Sequence, residues 1–157
     1  MTPTHVRSFN WSSHAELTDS SRPIPDQIRV NLDALDGERT WSYALWPLPN
    51  GQRMKDLEPF VTGDQFLQSA GTAGAMSIEL REIDGDGHAR QFAIGRPDTY
   101  YGAGHVEAVV WSAGVHALHL FPGEVFGADE AAAIYFSYYS SGTVPAAYRR
   151  RELDQNS

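Results

Sequence analysis

Histidine, serine and carboxylate side chains are the groups in this chain that could do chemistry, because it contains six histidines and no cysteine. Without cysteine, a nucleophilic mechanism would need a serine or threonine beside a histidine base. His116 and His119 are spaced so that their side chains would share one face of a helix, but the pattern of residues 115–121 predicts a strand. Side chains three positions apart on a strand point to opposite faces. This histidine pair is therefore not expected to bind one metal ion or one substrate.

The acidic sequence Asp84-Gly85-Asp86-Gly87 resembles the beginning of a calcium-binding loop. The later ligands and the glycine at the sixth position of such a loop are missing, so a hairpin turn is the better interpretation. The glycine-rich stretches at 71–74 and 102–104 lack the Lys-Ser/Thr pair of a phosphate-binding loop. The sequence therefore predicts no catalytic residue, no metal site and no cofactor.

Two other functions stay open from the residues alone. A small hydrolase-like enzyme would use His105 or His119 as a base, in a pocket between the sheet and the C-terminal helix. A homo-oligomeric structural domain would associate through an exposed sheet edge or an apolar patch.

A loop and a hairpin tip carry the residue types that bind proteins. The loop at 96–105 has tyrosines next to glycine and aspartate, and tyrosine is enriched among residues that anchor interfaces. The acidic tip of a predicted hairpin would add a negative rim. The predicted partner-binding residues are Asp98, Tyr100 and Tyr101 in the loop, and Glu82, Asp84 and Asp86 at the tip.

The charge of the chain narrows the class of partner. The formal net charge is −8, and the segment from Asp26 to Glu130 holds 16 acidic and 7 basic residues. Such a surface repels phosphate backbones, so direct nucleic-acid binding is not expected, whereas a basic protein would be attracted. No apolar run approaches the roughly 20 residues of a membrane span. With no signal-like N-terminus and no cysteine, we expect a cytoplasmic protein that does not bind membranes.

Three sequential hairpins are predicted to build the sheet that positions these residues. The first places alternating apolar residues at 28–32 and 41–45 around the turn pair Asp36-Gly37. The second has a three-residue loop at 85–87, with Leu80 opposite Phe92 and Glu82 opposite Arg90. The third spans about 106–121 around Ala113-Gly114, and its two apolar faces predict a central place in the sheet.

Two helices complete the predicted domain. The capping-box spacing from Thr62 to Gln65 predicts a short helix through about Ala70. A second helix is predicted from Ala128 to about Tyr139, ended by the glycine at 142. Strands followed by a covering helix predict an α+β fold with an antiparallel sheet. Residues 1–25 are expected to be a loosely ordered lead-in, and residues 26–157 a single domain.

The C-terminal third resembles a known family. His119-Leu-Phe-Pro122-Gly-Glu-Val-Phe-Gly-Ala-Asp-Glu130-Ala-Ala, followed by Tyr138-Tyr-Ser-Ser-Gly142-Thr-Val-Pro145, is similar to the end of immunity proteins from bacterial polymorphic toxin systems. The resemblance covers roughly residues 106–148. One departure is Tyr148, which stands near a place where the family often has tryptophan.

The resemblance implies a small α+β domain that binds and neutralises a cognate toxin in the producing cell. Members of the family are common in actinobacteria, and their toxins often carry a nucleic-acid deaminase domain. The implied partner is thus a basic, nucleic-acid-targeting toxin whose active site is occluded. No catalytic residue is implied, and whether the protein is a monomer or a dimer stays open.

Overall fold

The computed structural model of the protein describes residues 1–102, 106–111 and 116–154. The strands are β1 (His5–Phe9), β2 (Ser13–Glu16), β3 (Ser42–Pro47), β4 (Phe66–Thr72), β5 (Ala75–Met76), β6 (Glu79–Ile83), β7 (Ala89–Gly95), β8 (Glu107–Trp111), β9 (His116–Leu120) and β10 (Arg149–Glu152). The helices are α1 (Ile24–Asp33) and α2 (Ala128–Ser141), with short 3-10 helices at Met54–Asp56 and Pro122–Glu124.

An antiparallel sheet organises the fold. Its strand order is β10-β7-β6-β4-β3-β1-β2, and β5 pairs with β4 outside this path. Strands β8 and β9 form a separate two-stranded sheet. The predicted α+β class with an antiparallel sheet is confirmed.

Helices α1 and α2 pack against each other and cover one face of the sheet. Strand residues Tyr43, Leu45 and Leu67 are fully buried in this core. The Tyr135 hydroxyl of α2 lies 2.8 Å from the Ser69 hydroxyl of β4, so a buried hydrogen bond also joins helix and sheet. We call this the helix-covered face.

The opposite side, which we call the second face, carries the alternate strand residues. The register pairs Val6 with Trp46, and Gln68 with both Ala44 and Glu79. Because side chains alternate along a strand, these residues point away from the helices.

The first predicted hairpin is wrong on its N-terminal side, since residues 24–33 form α1 instead of a strand. Ile24, Ile28 and Leu32 are buried and recur every four residues, which makes one stripe of a helix. Val30, predicted to share their face, is 48% exposed. The run of alternating apolar residues was too short to distinguish the two periodicities.

The predicted turn at Asp36-Gly37 does exist, but it connects α1 to β3. Gly37 has a φ of 80°, a conformation that glycine adopts without steric cost. The Asp36 carboxylate accepts the backbone N–H groups of Glu38 and Thr40 at 2.8 and 3.1 Å. The chain therefore turns where the sequence predicts, but not as the two-residue hairpin turn, because the loop closes through the N–H of Asp36 on the carbonyl of Thr40 at 2.9 Å and Asp36 does not have a positive φ.

The short helix predicted at 62–70 is also wrong, because residues 66–72 form β4 in the interior of the sheet. Burial alternates along this strand, with Leu67, Ser69 and Gly71 buried and their neighbours less so. Pairing on both sides outweighs the capping-box spacing, which is only a local preference.

The second predicted hairpin is confirmed in its register. Leu80 pairs with Phe92 and Glu82 with Arg90. The backbone N–H of Asp84 donates to the carbonyl of His88 at 2.9 Å, which closes a loop over residues 85–87.

The third predicted hairpin forms as β8 and β9, but its predicted central place in the sheet is wrong. The hairpin packs over β4 instead. A Cβ at Gly71 would lie 2.6 Å from Cγ1 of Val109, so glycine makes this close approach possible. The apolar residues of the hairpin are explained by its packing over β4, so they do not require a central position in the sheet. The turn at Ala113-Gly114 lies outside the described residues.

Helix α2 matches the predicted C-terminal helix and ends as expected. Gly142 has a φ of 81° and donates its N–H to the carbonyl of Tyr138 at 2.8 Å, a common helix ending. The arginine-rich tail that follows joins the sheet edge as β10.

The N-terminal residues differ from the loose lead-in that was predicted. Strand β1 pairs with both β2 and β3, so residues before 26 belong to the sheet. Val6 is 0% and Leu17 1% exposed. These side chains could not be buried in this way in a loosely ordered segment.

Candidate partner-binding surface

The loop after β7 presents one of its two tyrosines to solvent. Tyr100 is 69% exposed, and Asp98 is also exposed. The ring of Tyr101 instead packs edge-on against Phe121 at 5.0 Å, beneath the guanidinium of Arg149 at 4.6 Å. Burial raises the pKa of the Tyr101 hydroxyl. Tyr101 therefore supports the loop, whereas Tyr100 and Asp98 can meet a partner.

The predicted acidic tip is divided in the same way. Glu82 forms an ion pair with Arg150 at 2.8 Å. The Asp84 carboxylate accepts the N–H groups of Asp86 and His88, both at 2.9 Å, and these bonds hold the pKa of Asp84 below its ordinary value. Asp86 is exposed. Asp84 thus shapes the turn, and Asp86 is its free carboxylate.

The two predicted groups do not lie together. The acidic tip precedes β7 and the tyrosine loop follows it. At a rise of about 3.4 Å per residue, this strand separates them by roughly 20 Å. A single small binding site cannot contain both groups.

The three consecutive arginines of β10 are occupied by contacts within the protein. Arg149 donates to the carbonyl of Thr99 at 2.8 Å, and Arg150 binds Glu82. Arg151 makes two bonds of 2.9 Å to Glu124, whose side chain is fully buried. These residues fasten the C-terminal strand to the body and do not form a free basic patch.

The sequence analysis missed a cluster of exposed apolar side chains, which we call the apolar ridge. It comprises the exposed Phe60, Val61 and Ile83 together with the half-buried Leu57. Val61 is 65%, Phe60 42% and Ile83 36% exposed. A group of large apolar side chains in water is unusual and marks interaction surfaces more often than single exposed residues do.

Buried tryptophan positions the ridge. Trp46 is 1% exposed, and a Cβ on Gly63 would lie 3.0 Å from its ring, so the segment preceding β4 lies directly on the indole. The Trp46 indole N–H donates to the Ser8 hydroxyl at 2.9 Å. The Gln65 side chain accepts the backbone N–H of Ile83 at 3.1 Å, which joins the segment to β6.

A hollow lies on each side of the ridge. One is a groove of about 390 Å³ whose walls include Trp46, Val61 and Ile83. The other, of about 510 Å³, is lined by residues that include His14 and Phe60. Leu57 borders both. A partner could therefore place apolar side chains on either side of the ridge.

Exposed carboxylates neighbour the ridge residues along the chain. Asp56, Glu58 and Asp64 belong to the same segment, and Asp86 lies three residues beyond Ile83. Lys55 adds one positive charge. The sequence did hold a signal, since Phe60-Val61 stands between acidic residues without strand or helix periodicity. Ile83 also interrupts a series of polar residues.

The histidines give little support to a catalytic site. Ser8 and His14 are 2.6 Å apart, but Ser8 is 0% exposed and also holds Trp46, so its hydroxyl cannot reach a substrate. Burial lowers the pKa of His14. His119 is exposed on β9, on a hairpin apart from α2, and His105 lies outside the described residues.

A small cavity of about 180 Å³ between the sheet and the end of α2 contains His5 and Glu82. The two side chains bond elsewhere, His5 to the Thr4 hydroxyl at 2.9 Å and Glu82 to Arg150. Burial lowers the pKa of His5 to about 4, which leaves the imidazole neutral at pH 7. We interpret His5 as a core residue.

In the described part of the chain, Asp84, Asp86 and His88 are the group whose donor atoms could meet around a metal ion. Their ligand atoms lie within 4.8 Å of one another at an exposed turn. An Asp84 oxygen is already used to close that turn. The arrangement is explained by the hairpin and gives no independent sign of a bound ion.

Comparison of the chain with models of known families, with curated proteins and with solved structures finds no match. The resemblance of residues 106–148 to immunity proteins therefore stays a prediction. Of the helices in the described ranges, none has the length and apolar character needed to cross a membrane.

Proposed function

We propose that this protein binds a basic protein partner through the apolar ridge, and that it is an immunity protein. In this role it binds a cognate toxin, with a nucleic-acid deaminase as the first candidate, and occludes the toxin's active site. The observation that carries the proposal is the ridge, where Phe60, Val61 and Ile83 are exposed beside two hollows. The segment that holds Phe60 and Val61 also carries the exposed carboxylates of Asp56, Glu58 and Asp64.

Each part of this surface has a physical role in binding. A few side chains that become fully buried near the centre of an interface provide most of the affinity. Carboxylates at the rim accelerate the approach of a basic protein and select against acidic ones. Nucleic-acid-binding enzymes are commonly basic along their substrate groove. An acidic surface with an apolar centre is therefore suited to cover such a groove.

The alternatives receive less support from the geometry. A second copy of this chain would bring an identical acidic rim against the first, and like charges at an interface oppose association. Most of the space between the sheet and α2 is occupied by buried side chains such as Leu67, Ile134 and Tyr135. In the small cavity at the end of α2, His5 and Glu82 bond to other residues.

The proposal predicts that the product of the adjacent gene is captured by the tagged protein and that capture weakens as salt increases. The double variant Phe60→Ala/Val61→Ala should bind at least tenfold more weakly, because truncation removes anchors of the interface. Affinity is measured by titration calorimetry at low and high salt.

The matched control is Val30→Ala/Phe136→Ala, which removes the same two residue types from exposed places on α1 and α2. It should bind as the wild type does. Equal binding by the ridge variant would show that the ridge is not the interface. In that case Tyr100→Ala would test the loop, and a loss of less than about 1 kcal/mol would remove the loop from consideration.

A further inference from the structure

A separate cavity of about 290 Å³ lies on the second face of the sheet. Its walls include Trp11 and Trp41, Leu118 from β9, and the polar residues Gln68 and Glu79. Cavities with aromatic walls and a few convergent polar groups are the usual form of small-ligand sites.

Glu79 places a buried negative charge in this cavity. The residue is 8% exposed, and one carboxylate oxygen accepts the side-chain amides of Gln68 at 3.1 Å and Gln91 at 2.5 Å. Both donors are neutral. Within the described ranges, the ion pairs of the arginines go to other carboxylates, including that of Arg151 to Glu124. Buried carboxylates are normally paired with a cation. The pKa of Arg151 is raised by its bonds to Glu124 and, through space, also by Glu79, but the hydrogen bonds to Glu79 itself come from neutral amides.

Trp11 is held at the cavity in an unusual conformation. Its φ is 51° and that of Asn10 is 53°, a region that bulky residues rarely occupy. The Trp11 indole N–H donates to the Gln68 side chain at 3.0 Å, and Gln68 donates in turn to Glu79. Asn10 and Trp11 form the turn between β1 and β2, where the Ser12 N–H donates to the carbonyl of Phe9 at 3.0 Å, and such hairpin turns need a positive φ at their central residues. The turn therefore fixes Trp11 at the cavity.

We propose that this cavity binds a guanidinium or alkylammonium group. The cation would compensate the charge of Glu79 and lie against the indole faces of Trp11 and Trp41, an arrangement that attracts cations electrostatically. Trp11 also contacts Phe66 at 5.0 Å, and Phe66 belongs to the same face as Trp46 beneath the ridge. An arginine or lysine of the basic partner could thus enter the cavity, an extension that rests on the proposed function, whereas the cation site itself does not.

The test uses agmatine as the probe and the intact protein, followed by NMR of the tryptophan indole N–H signals. The Trp11 signal is assigned from its absence in Trp11→Phe. We expect saturable shifts of that signal in the wild type. Glu79→Gln keeps the size of the side chain and removes its charge, so it should weaken agmatine binding at least tenfold. Asp19→Asn removes one exposed charge elsewhere and should bind agmatine as the wild type does.

The inference is overturned if agmatine causes no saturable shift, or if the neutral analogue butylurea binds equally well. It is also overturned if Glu79→Gln, shown to be folded by its dispersed spectrum, binds agmatine with unchanged affinity. Should that variant unfold, the folded Trp11→Phe protein provides the second measure, through weaker binding seen at the Trp41 indole. These outcomes do not depend on any toxin, so they are distinguishable from failure of the proposed function.

The source of the cation is tested with a blocked Gly-Arg-Gly peptide. Binding of the peptide with an affinity close to that of agmatine would support a side chain of a protein partner. Binding of agmatine with exclusion of the peptide would support a free small cation and would overturn the extension to the partner.

Discussion

Buried polar side chains in this protein mostly support the structure. The type of a residue therefore does not by itself indicate its role. Ser8 and His14 have the chemistry of a nucleophile and its base, yet Ser8 is fully buried and holds Trp46. Tyr101 is a residue type that is common at interfaces, but it packs inside the protein, whereas Tyr100 beside it is exposed. The sequence identifies these groups but not their burial, because burial depends on residues distant in the chain.

The pKa of His5 predicts how stability depends on pH. The imidazole titrates near 6.5 when unfolded and at about 4 in the fold, where burial disfavours its charged form. Between these values the unfolded chain binds more protons, so the free energy of unfolding should fall as pH decreases from 6.5 toward 4, by up to about 3 kcal/mol. Urea denaturation at several pH values measures this dependence.

His5→Gln should reduce the slope above pH 4.5, where the carboxylates contribute least, and leave the smaller slope that His14 causes through its own lowered pKa. His119→Gln, which removes an exposed histidine, serves as the control and should retain the wild-type slope. Equal slopes for the wild type and His5→Gln would mean that His5 is not protonated differently in the two states.

At the level of elements, local signals predicted turns and helix ends better than the elements between them. The loop at 85–87 and the ending of α2 at Gly142 follow from short-range chemistry, and both are observed. The strand predicted at 28–32 was wrong because three alternating apolar residues fit both a strand and a helix. The helix predicted at 62–70 was wrong because β4 gains its stability from two neighbouring strands, which the local sequence does not show.

The difference between helix and strand at residues 24–33 can be measured with two matched substitutions. Ile28→Ala should lower the free energy of unfolding by about 2–4 kcal/mol, because it leaves a cavity between α1 and the sheet. Val30→Ala should change it by less than about 0.5 kcal/mol, since the side chain is exposed and alanine favours a helix. In the hairpin both residues would share one buried face, so similar losses in urea denaturation would contradict the helix.

At the scale of the whole molecule, the chain termini complete the sheet, and this explains why the candidate surface was difficult to predict. The apolar ridge depends on Trp46, which is supported by Ser8 from β1. Treating residues 1–25 as a loose lead-in therefore hid the support of the site. Net charge, by contrast, is a property of composition and needs no structure, and the basic partner inferred from it stays a prediction.

Removal of the N-terminal hairpin tests this dependence directly. Deletion of residues 1–17 would remove β1, β2 and the fully buried side chains of Val6, Ser8 and Leu17. It would also expose Trp46 and leave the Ser8 hydrogen bond unmade. Since proteins of this size have only about 5–15 kcal/mol of stability, we expect the deletion to abolish cooperative thermal unfolding. Near-ultraviolet circular dichroism, which reports the packing of aromatic side chains, should lose its signal at the same time.

The control is a deletion of Met1 and Thr2, which are exposed and precede β1. It should melt as the full chain does. If the longer deletion retained a cooperative transition near that of the wild type, the N-terminal strands would be dispensable, as a loose lead-in would be. Partner capture by that truncated protein would then show that the ridge does not require β1. The opposite result would be that the longer deletion loses both folding and partner capture while the short deletion retains both. This would establish that the N-terminal hairpin and the candidate surface form one cooperative unit.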